Sequence, residues 1–221
     1  MTLSVGRMGW PVARRPTSIA TSGPALLRPD INIVHVKRPL KFSTGKLAED
    51  VCSRAIHEGE LVRLSENIST TDPTGSALDL VDRVVQNEDL RNIVAKDICQ
   101  VSREFELWLG LPYVRAKLEI SDHAACTQFH TDHVKLRFIC TYMGPGTVFL
   151  DHRFVGRSSI LGIGEPDKEK VCQQAEAGDL LYLKGHDFPG DAQGFAAIHR
   201  SPLQGFNGPR LMLVVDDVTE S

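Results

Sequence analysis

No stretch of this 221-residue chain approaches the roughly 20 consecutive apolar residues that a bilayer-spanning helix needs. There is no excess of charge of either sign: the formal net charge is −3. That excludes a nucleic-acid binder held by bulk charge and a chain kept disordered by self-repulsion. The five cysteines are odd in number and scattered, with no Cys-x-x-Cys pair. A thiolate zinc site is thereby disfavoured, and a reducing compartment is the expected setting. Also missing are the nucleophile elbow Gly-x-Ser-x-Gly, the zincin His-Glu-x-x-His and the phosphate-binding Gly-x-Gly-x-x-Gly. What is left is a soluble globular chain, long enough for one sizeable core.

Acidic residues are absent from positions 1–29, where Arg7, Arg14, Arg15 and Arg28 fall among Ser, Thr, Pro and Gly. Residues 1–30 therefore read as a basic leader or arm. Pro11, Pro16, Pro24 and Pro29 oppose the amphipathic helix of a mitochondrial transit peptide. A cytoplasmic location is the expectation, with a mitochondrial-type leader at residues 1–29 as the alternative.

Residues 31–221 read as a single domain in two parts. Residues 31–111 are mainly helical support, after a short strand at Asn32 to Val36. Helices are expected from near Ser43 to Gly59, from Ala77 to Val85 and from Asn87 to Leu109, with Thr70 to Gly75 as a loop. In the longest, Leu90, Val94, Ile98, Val101 and Phe105 make one apolar stripe, and Gly110 and Pro112 end it. Histidines 35 and 57 lie in this part without ligand-like company and read as surface or packing residues.

From residue 112 onward the period becomes 2. Strands are expected at Val114 to Ile120, Val134 to Tyr142, Thr147 to Leu150, Ser158 to Ile163, Leu180 to Lys184, Phe195 to His199 and Leu211 to Val215. Gly144-Pro145-Gly146 would turn the second of these into a hairpin with the third. Short strands with Gly- and Pro-rich joints favour an antiparallel sandwich or jelly roll, and the whole chain reads as α+β: a helical first half packed on an antiparallel jelly-roll barrel. Arg115, Lys117, Lys135 and Arg137 read as a solvated outer face, with an anionic partner as the minority reading.

His130-Thr131-Asp132 opens the most apolar strand. If that strand extends back to residue 130, His130 and Asp132 share parity with Val134, Leu136, Phe138, Cys140 and Tyr142 and point into the barrel. The two side chains would leave the backbone about 7 Å apart. Chance alone supplies roughly 0.6 such pairs in this composition, so position carries the case. His199 closes another apolar run and could complete two His and one carboxylate, the facial arrangement of non-haem Fe(II) oxygen chemistry. His133 drops out by parity, and His123, His152 and His186 sit in polar joints. Arg210 starts the last strand, where its guanidinium fork suits a dicarboxylate such as 2-oxoglutarate.

The order His130-Thr131-Asp132, then Gly178-Asp179-Leu180-Leu181-Tyr182-Leu183-Lys184, His199 and Arg210 resembles the Fe(II)/2-oxoglutarate-dependent dioxygenases. Phe129 to Asp132, Thr141-Tyr142-Met143-Gly144-Pro145-Gly146-Thr147, Leu183-Lys184-Gly185 and His199-Arg200-Ser201-Pro202 resemble more closely a largely bacterial, uncharacterised family, domain of unknown function eighteen-twenty-six. The dioxygenase resemblance implies iron held by His130, Asp132 and His199, and Arg210 on the distal carboxylate of 2-oxoglutarate. Tyr142 or Thr147 would add a hydrogen bond, with Arg200 or Lys184 as alternative anchors. The expected function is a mononuclear oxygenase acting on a small molecule or peptide. The alternatives are a metal-binding module, holding zinc or another divalent ion, and a jelly-roll domain with a vestigial site.

Overall fold

A computed structural model describes residues 19–40, 62–121, 126–151, 172–189, 195–202 and 210–218. In chain order the described elements are β1 (Ile19–Ala20), a 3-10 turn (Gly23–Leu27), β2 (Ile33–Val36), β3 (Val62–Ser69), α1 (Thr74–Asp82) and α2 (Glu88–Leu109). There follow β4 (Tyr113–Ser121), β5 (Leu136–Met143), β6 (Val148–Leu150), β7 (Cys172–Gln174), β8 (Leu180–Lys184), β9 (His199–Arg200) and β10 (Arg210–Asp217). They form a seven-stranded sheet in the order β1-β2-β8-β5-β10-β4-β3 and a three-stranded sheet in the order β7-β6-β9. All pairings are antiparallel except the two-residue β1–β2 ladder. The chain is α+β, as expected. Among the described residues no helix is long and apolar enough to cross a membrane.

Helix α2 follows its sequence signals closely. The Asn87 side chain accepts a hydrogen bond from the Leu90 N–H at 3.0 Å, and Glu88 and Asp89 face the positive end of the helix dipole. Gly110, at φ 64°, closes the other end. The stripe of Leu90, Val94, Ile98, Val101 and Phe105 is buried. Each such side chain contributes about 1.5–3 kcal/mol on leaving water. Helix α1 begins three residues before the expected Ala77, because Pro73 presets the backbone for a first turn through Thr74 and Gly75.

Three expectations need correction. The first part is helical in α1 and α2 but also supplies β2 and β3 to the large sheet, which β1 from the preceding segment extends. β3 escapes notice in sequence because Arg63, Ser65, Glu66 and Asn67 dilute its alternation on an edge strand, where charge is tolerated. Nor does β6 form a hairpin with β5. It pairs with β7 and β9, so Gly144, at φ 82°, and its neighbours carry the chain from one sheet to the other. Gly146 lies against the Ala175 carbonyl, where a Cβ would come within 2.1 Å of the oxygen. Of the run from Phe195, only His199 and Arg200 are strand. The helix expected near residues 43–59 and the strand at 158–163 lie outside the described residues.

The large sheet separates two apolar layers. On one face Leu118, Phe138, Cys140, Tyr142, Leu211 and Leu213 pack with the stripe of α2. On the other, Ile33, Ile139, Leu181, Leu183 and Val214 meet Phe149, Ala175 and Ala197 from the small-sheet side. Alternate residues of β5 and β10 thus serve different layers, as a pleated strand requires.

Candidate metal centre

His130 and His199 are joined by an isolated antiparallel bridge, each N–H donating to the other's carbonyl at 3.0 Å. This pairing brings the two histidines together, and it corrects the parity reading. Strand β5 begins only at Leu136, and residues 131–135 bend. Moreover, Leu136, Phe138, Cys140 and Tyr142 face the helices. The strand residues on the histidine side are the odd-numbered Arg137, Ile139 and Thr141. The bent segment is tied down by the 185–187 loop: Gly185, His186 and Asp187 donate to the carbonyls of Lys135, Asp132 and Val134 at 3.1, 2.9 and 3.1 Å.

The ligand-type atoms of His130, Asp132 and His199 all lie within 4.8 Å of one another. His199 Nε2 stands 3.3 Å from Asp132 Oδ2, and His130 Nε2 stands 3.8 Å from Oδ1. Adjacent ligands at about 2.1 Å from an octahedral ion are about 3.0 Å apart, so a divalent metal fits after small adjustments. The chemistry of the donor set agrees. His130 Nδ1 faces the Gln128 carbonyl at 3.0 Å and His199 Nδ1 that of Ala197 at 3.3 Å. With the proton assigned to Nδ1 on each ring, both Nε2 lone pairs are free for a metal. Burial pushes His199 down to about 4, so its ring is neutral around pH 7. Among the described residues no fourth His, Cys, Asp or Glu joins the cluster.

A charged floor extends from Asp132. Arg137 Nη1 donates to Asp132 Oδ1 at 2.6 Å, while Arg137 Nε and Nη2 grip both oxygens of Asp216 at 2.6 and 2.9 Å. Lys117 Nζ reaches Asp216 Oδ2 at 2.7 Å. Burial alone would raise the Asp216 carboxyl, but Arg137 and Lys117 hold it below the usual carboxylate range. Lys117 and Arg137 are therefore not on a solvated outer face. They line, with His130, Thr147 and His199, a cavity of about 170 Å³. Nothing in the local alternation marks them as buried, because charged and apolar residues in turn read as a strand with one wet face.

Arg210, on the cavity side of β10, is only 4% exposed. Its Nη2 donates to Thr141 Oγ1 and Thr147 Oγ1 at 3.2 Å, its Nε has no partner, and no carboxylate pairs with it among the described residues. Burial lowers its pKa to about 10, so it stays a cation at neutral pH. The Glu119 carboxylate offsets part of that burial cost through space, and the unpartnered Nε leaves the guanidinium able to take a further anion. Thr147 stands beside it. Tyr142 does not, and its expected role is corrected: its hydroxyl donates to Asp97 Oδ2 of α2 at 2.7 Å, on the far side of the sheet. Arg200 lies over the Phe129 ring at 4.5 Å and donates to the Thr127 carbonyl at 3.4 Å. Lys184 is spent elsewhere, on the Arg28 carbonyl at 3.0 Å and over the Phe188 ring at 4.2 Å.

Of the remaining histidines, His133 is exposed and stacks on His186 with centroids 4.8 Å apart. His35 is buried, bonded to Asp179 Oδ2 at 2.7 Å. Residues 57, 122, 123 and 152 lie outside the described residues.

Residues 24–216 match the family model described as Protein of unknown function (DUF1826). No curated protein matches the chain in sequence. Among solved structures, the dioxygenase for auxin oxidation 1 from Arabidopsis thaliana, in a 2-oxoglutarate binary complex, is 12% identical with a TM-score of 0.49, covering 94% of this chain and 93% of that one. A prolyl-4-hydroxylase from Pseudomonas putida is 15% identical with a TM-score of 0.47, covering 90% and 97%. A dioxygenase for auxin oxidation in rice is 12% identical with a TM-score of 0.48, covering 93% and 83%. At such scores the chemistry has to be argued from this chain's own residues.

Proposed function

We propose that this chain, which belongs to the DUF1826 family, is a mononuclear non-haem Fe(II) oxygenase that uses 2-oxoglutarate. The observation that carries the reading is the convergence of His130, Asp132 and His199 within 4.8 Å, where His130 and His199 line an inter-sheet cavity and the cavity's Thr147 accepts a hydrogen bond from the buried Arg210. His130, Asp132 and His199 would hold the metal. Bound Fe(II) and 2-oxoglutarate would supply the oxygen activation, one oxygen atom going to the substrate as the co-substrate becomes succinate and carbon dioxide.

The protein's own contributions follow from its geometry. A divalent ion on one carboxylate leaves a positive site, and Arg210 adds a second positive charge under Thr141 and Thr147. That pair of charges suits a dianion with one carboxylate near the metal and one at the guanidinium. Ile139, Met212 and Val214 supply apolar wall to the same cavity. We read the two facing sheets as a jelly roll and residues 31–221 as its single domain, joined by β1 and the buried Leu26 of the preceding segment. The substrate would be a small molecule or peptide, in the cytoplasm.

The test is anaerobic addition of Fe(II) and then 2-oxoglutarate to the metal-free protein, read as a weak visible charge-transfer band. Succinate release on admitting oxygen should follow. A protein that takes up Fe(II) stoichiometrically yet gives neither signal is not this kind of oxygenase.

A further inference from the structure

We propose that Arg137 is a positioning residue that restricts Asp132 to coordination through one oxygen and so keeps one more position open at the metal. The inference rests on the metal assignment above.

A carboxylate beside a divalent ion can bind through one oxygen or through both. In a site of two imidazoles and one carboxylate the difference decides what else can enter. One-oxygen binding leaves three octahedral positions, enough for a bidentate 2-oxo acid and dioxygen, whereas two-oxygen binding leaves two. Here Asp132 Oδ1 is already engaged by a charge-assisted 2.6 Å bond from Arg137 Nη1. Oδ1 also lies within reach of the site, 3.8 Å from His130 Nε2, so the Arg137 bond is what sets apart Oδ2, 3.3 Å from His199 Nε2, as the oxygen left for a metal.

Arg137 is not free to swing aside. Its Nε and Nη2 are committed to the two oxygens of Asp216, its register partner on β10, and Lys117 clamps Asp216 from β4. One planar guanidinium thus serves two carboxylates, the fork edge holding it in the sheet and the remaining nitrogen reaching the bent segment that carries Asp132. If Arg137 only tied strands together, the Asp216 fork would suffice. Its charge beside Asp132 also withdraws electron density from the ligand. Arg137 therefore weakens metal binding while keeping the site open, an arrangement suited to chemistry rather than to a metal held for structure.

The experiment loads wild type and Arg137→Met with Mn(II) alone and counts exchangeable metal-bound waters by proton relaxation. The expected result is three in wild type and two in the variant, a fall of about a third in relaxivity. Mn(II) binding should become about tenfold tighter in the variant, opposite in sign to the loss of an acidic partner behind a ligand. The same count in both folded proteins overturns the inference. Two waters in wild type also overturns it, and that measurement decides alone if Arg137→Met does not fold. Wild type that takes up neither Mn(II) nor Fe(II) overturns the proposed function itself, and this inference with it.

Discussion

The two faces of the seven-stranded sheet come from the same strands, yet they are built to opposite standards. On the helix face, Leu118, Phe138, Leu211 and Leu213 are fully buried against the stripe of α2. Most polar groups there are matched: Asp97 accepts from Arg38 Nη1 and Nη2 at 2.6 and 2.8 Å and from Tyr142 at 2.7 Å, while Asp217 Oδ2, in phase with Leu213 and Val215, has no partner. On the small-sheet face, one residue along each strand, stand Lys117, Glu119, Arg137, Thr141, Arg210 and Asp216. Arg210 is left with an unpartnered buried nitrogen. The first face is closed, dominated by apolar contacts and mostly satisfied, so it contributes stability. The second leaves buried charge incompletely matched, which destabilises the empty protein and becomes favourable only when a ligand supplies what is missing. Separating the two by strand parity lets the chemistry carry its cost without loosening the main core.

The sharpest way to break that contrast is to strike each face once. His199→Ala removes one of three ligands, so metal affinity should fall about a thousandfold or more, on a total binding energy of order 10 kcal/mol. The melting temperature of the metal-free protein should change little. Equilibrium dialysis against Fe(II) or Co(II) beside thermal unfolding reads both. If His199→Ala unfolds the metal-free protein, the ring is a core residue and the division between the faces is wrong. On the helix side, Phe105→Ala should cost about 3–5 kcal/mol in denaturant unfolding. Metal affinity per folded molecule should stay at the wild-type value.

Arg210→Met is the next largest effect and separates anion from metal. Losing a buried charged donor should weaken 2-oxoglutarate binding by about 2–3 kcal/mol, while Co(II) affinity is kept. Calorimetric titration of the Co(II)-loaded protein with 2-oxoglutarate measures it. Unchanged affinity would move the anchor away from Arg210, with Arg200 the next cation to substitute.

How much of this was legible in the sequence divides along the same two faces. Helix α2 could be read to within a residue because capping, periodicity and the terminal glycine all depend on neighbours a few positions apart. His130, Asp132, His199 and Arg210 could be picked out by residue type and order. What could not be read was which side of the sheet they occupy. The parity argument carried β5 back to residue 130, but the strand stops at Leu136, and the histidines meet through a bridge spanning 69 positions. Local alternation cannot encode such a pairing. Placing the ligands on the apolar face of β5 brings Tyr142 into the site, and taking the charged alternate positions of β4 and β5 as a wet face sends Lys117 and Arg137 to solvent.

Tyr142→Phe is the smallest test and the one aimed at that misassignment. The hydroxyl is fully buried and donates only to Asp97, whose carboxylate keeps both bonds from Arg38 when it is gone. Removing a single matched hydrogen bond should cost about 1 kcal/mol of folding stability. Burial, the Cys140 thiol and the Asp97 carboxylate push the phenol's pKa well up from its ordinary value, so it is neutral around pH 7 and carries no charge to a ligand. Metal and 2-oxoglutarate affinities should therefore match wild type within error. A loss of 2-oxoglutarate affinity comparable to that of Arg210→Met would mean that the helix face and the cavity communicate through the sheet. The separation of stability from chemistry would then not hold even one residue apart.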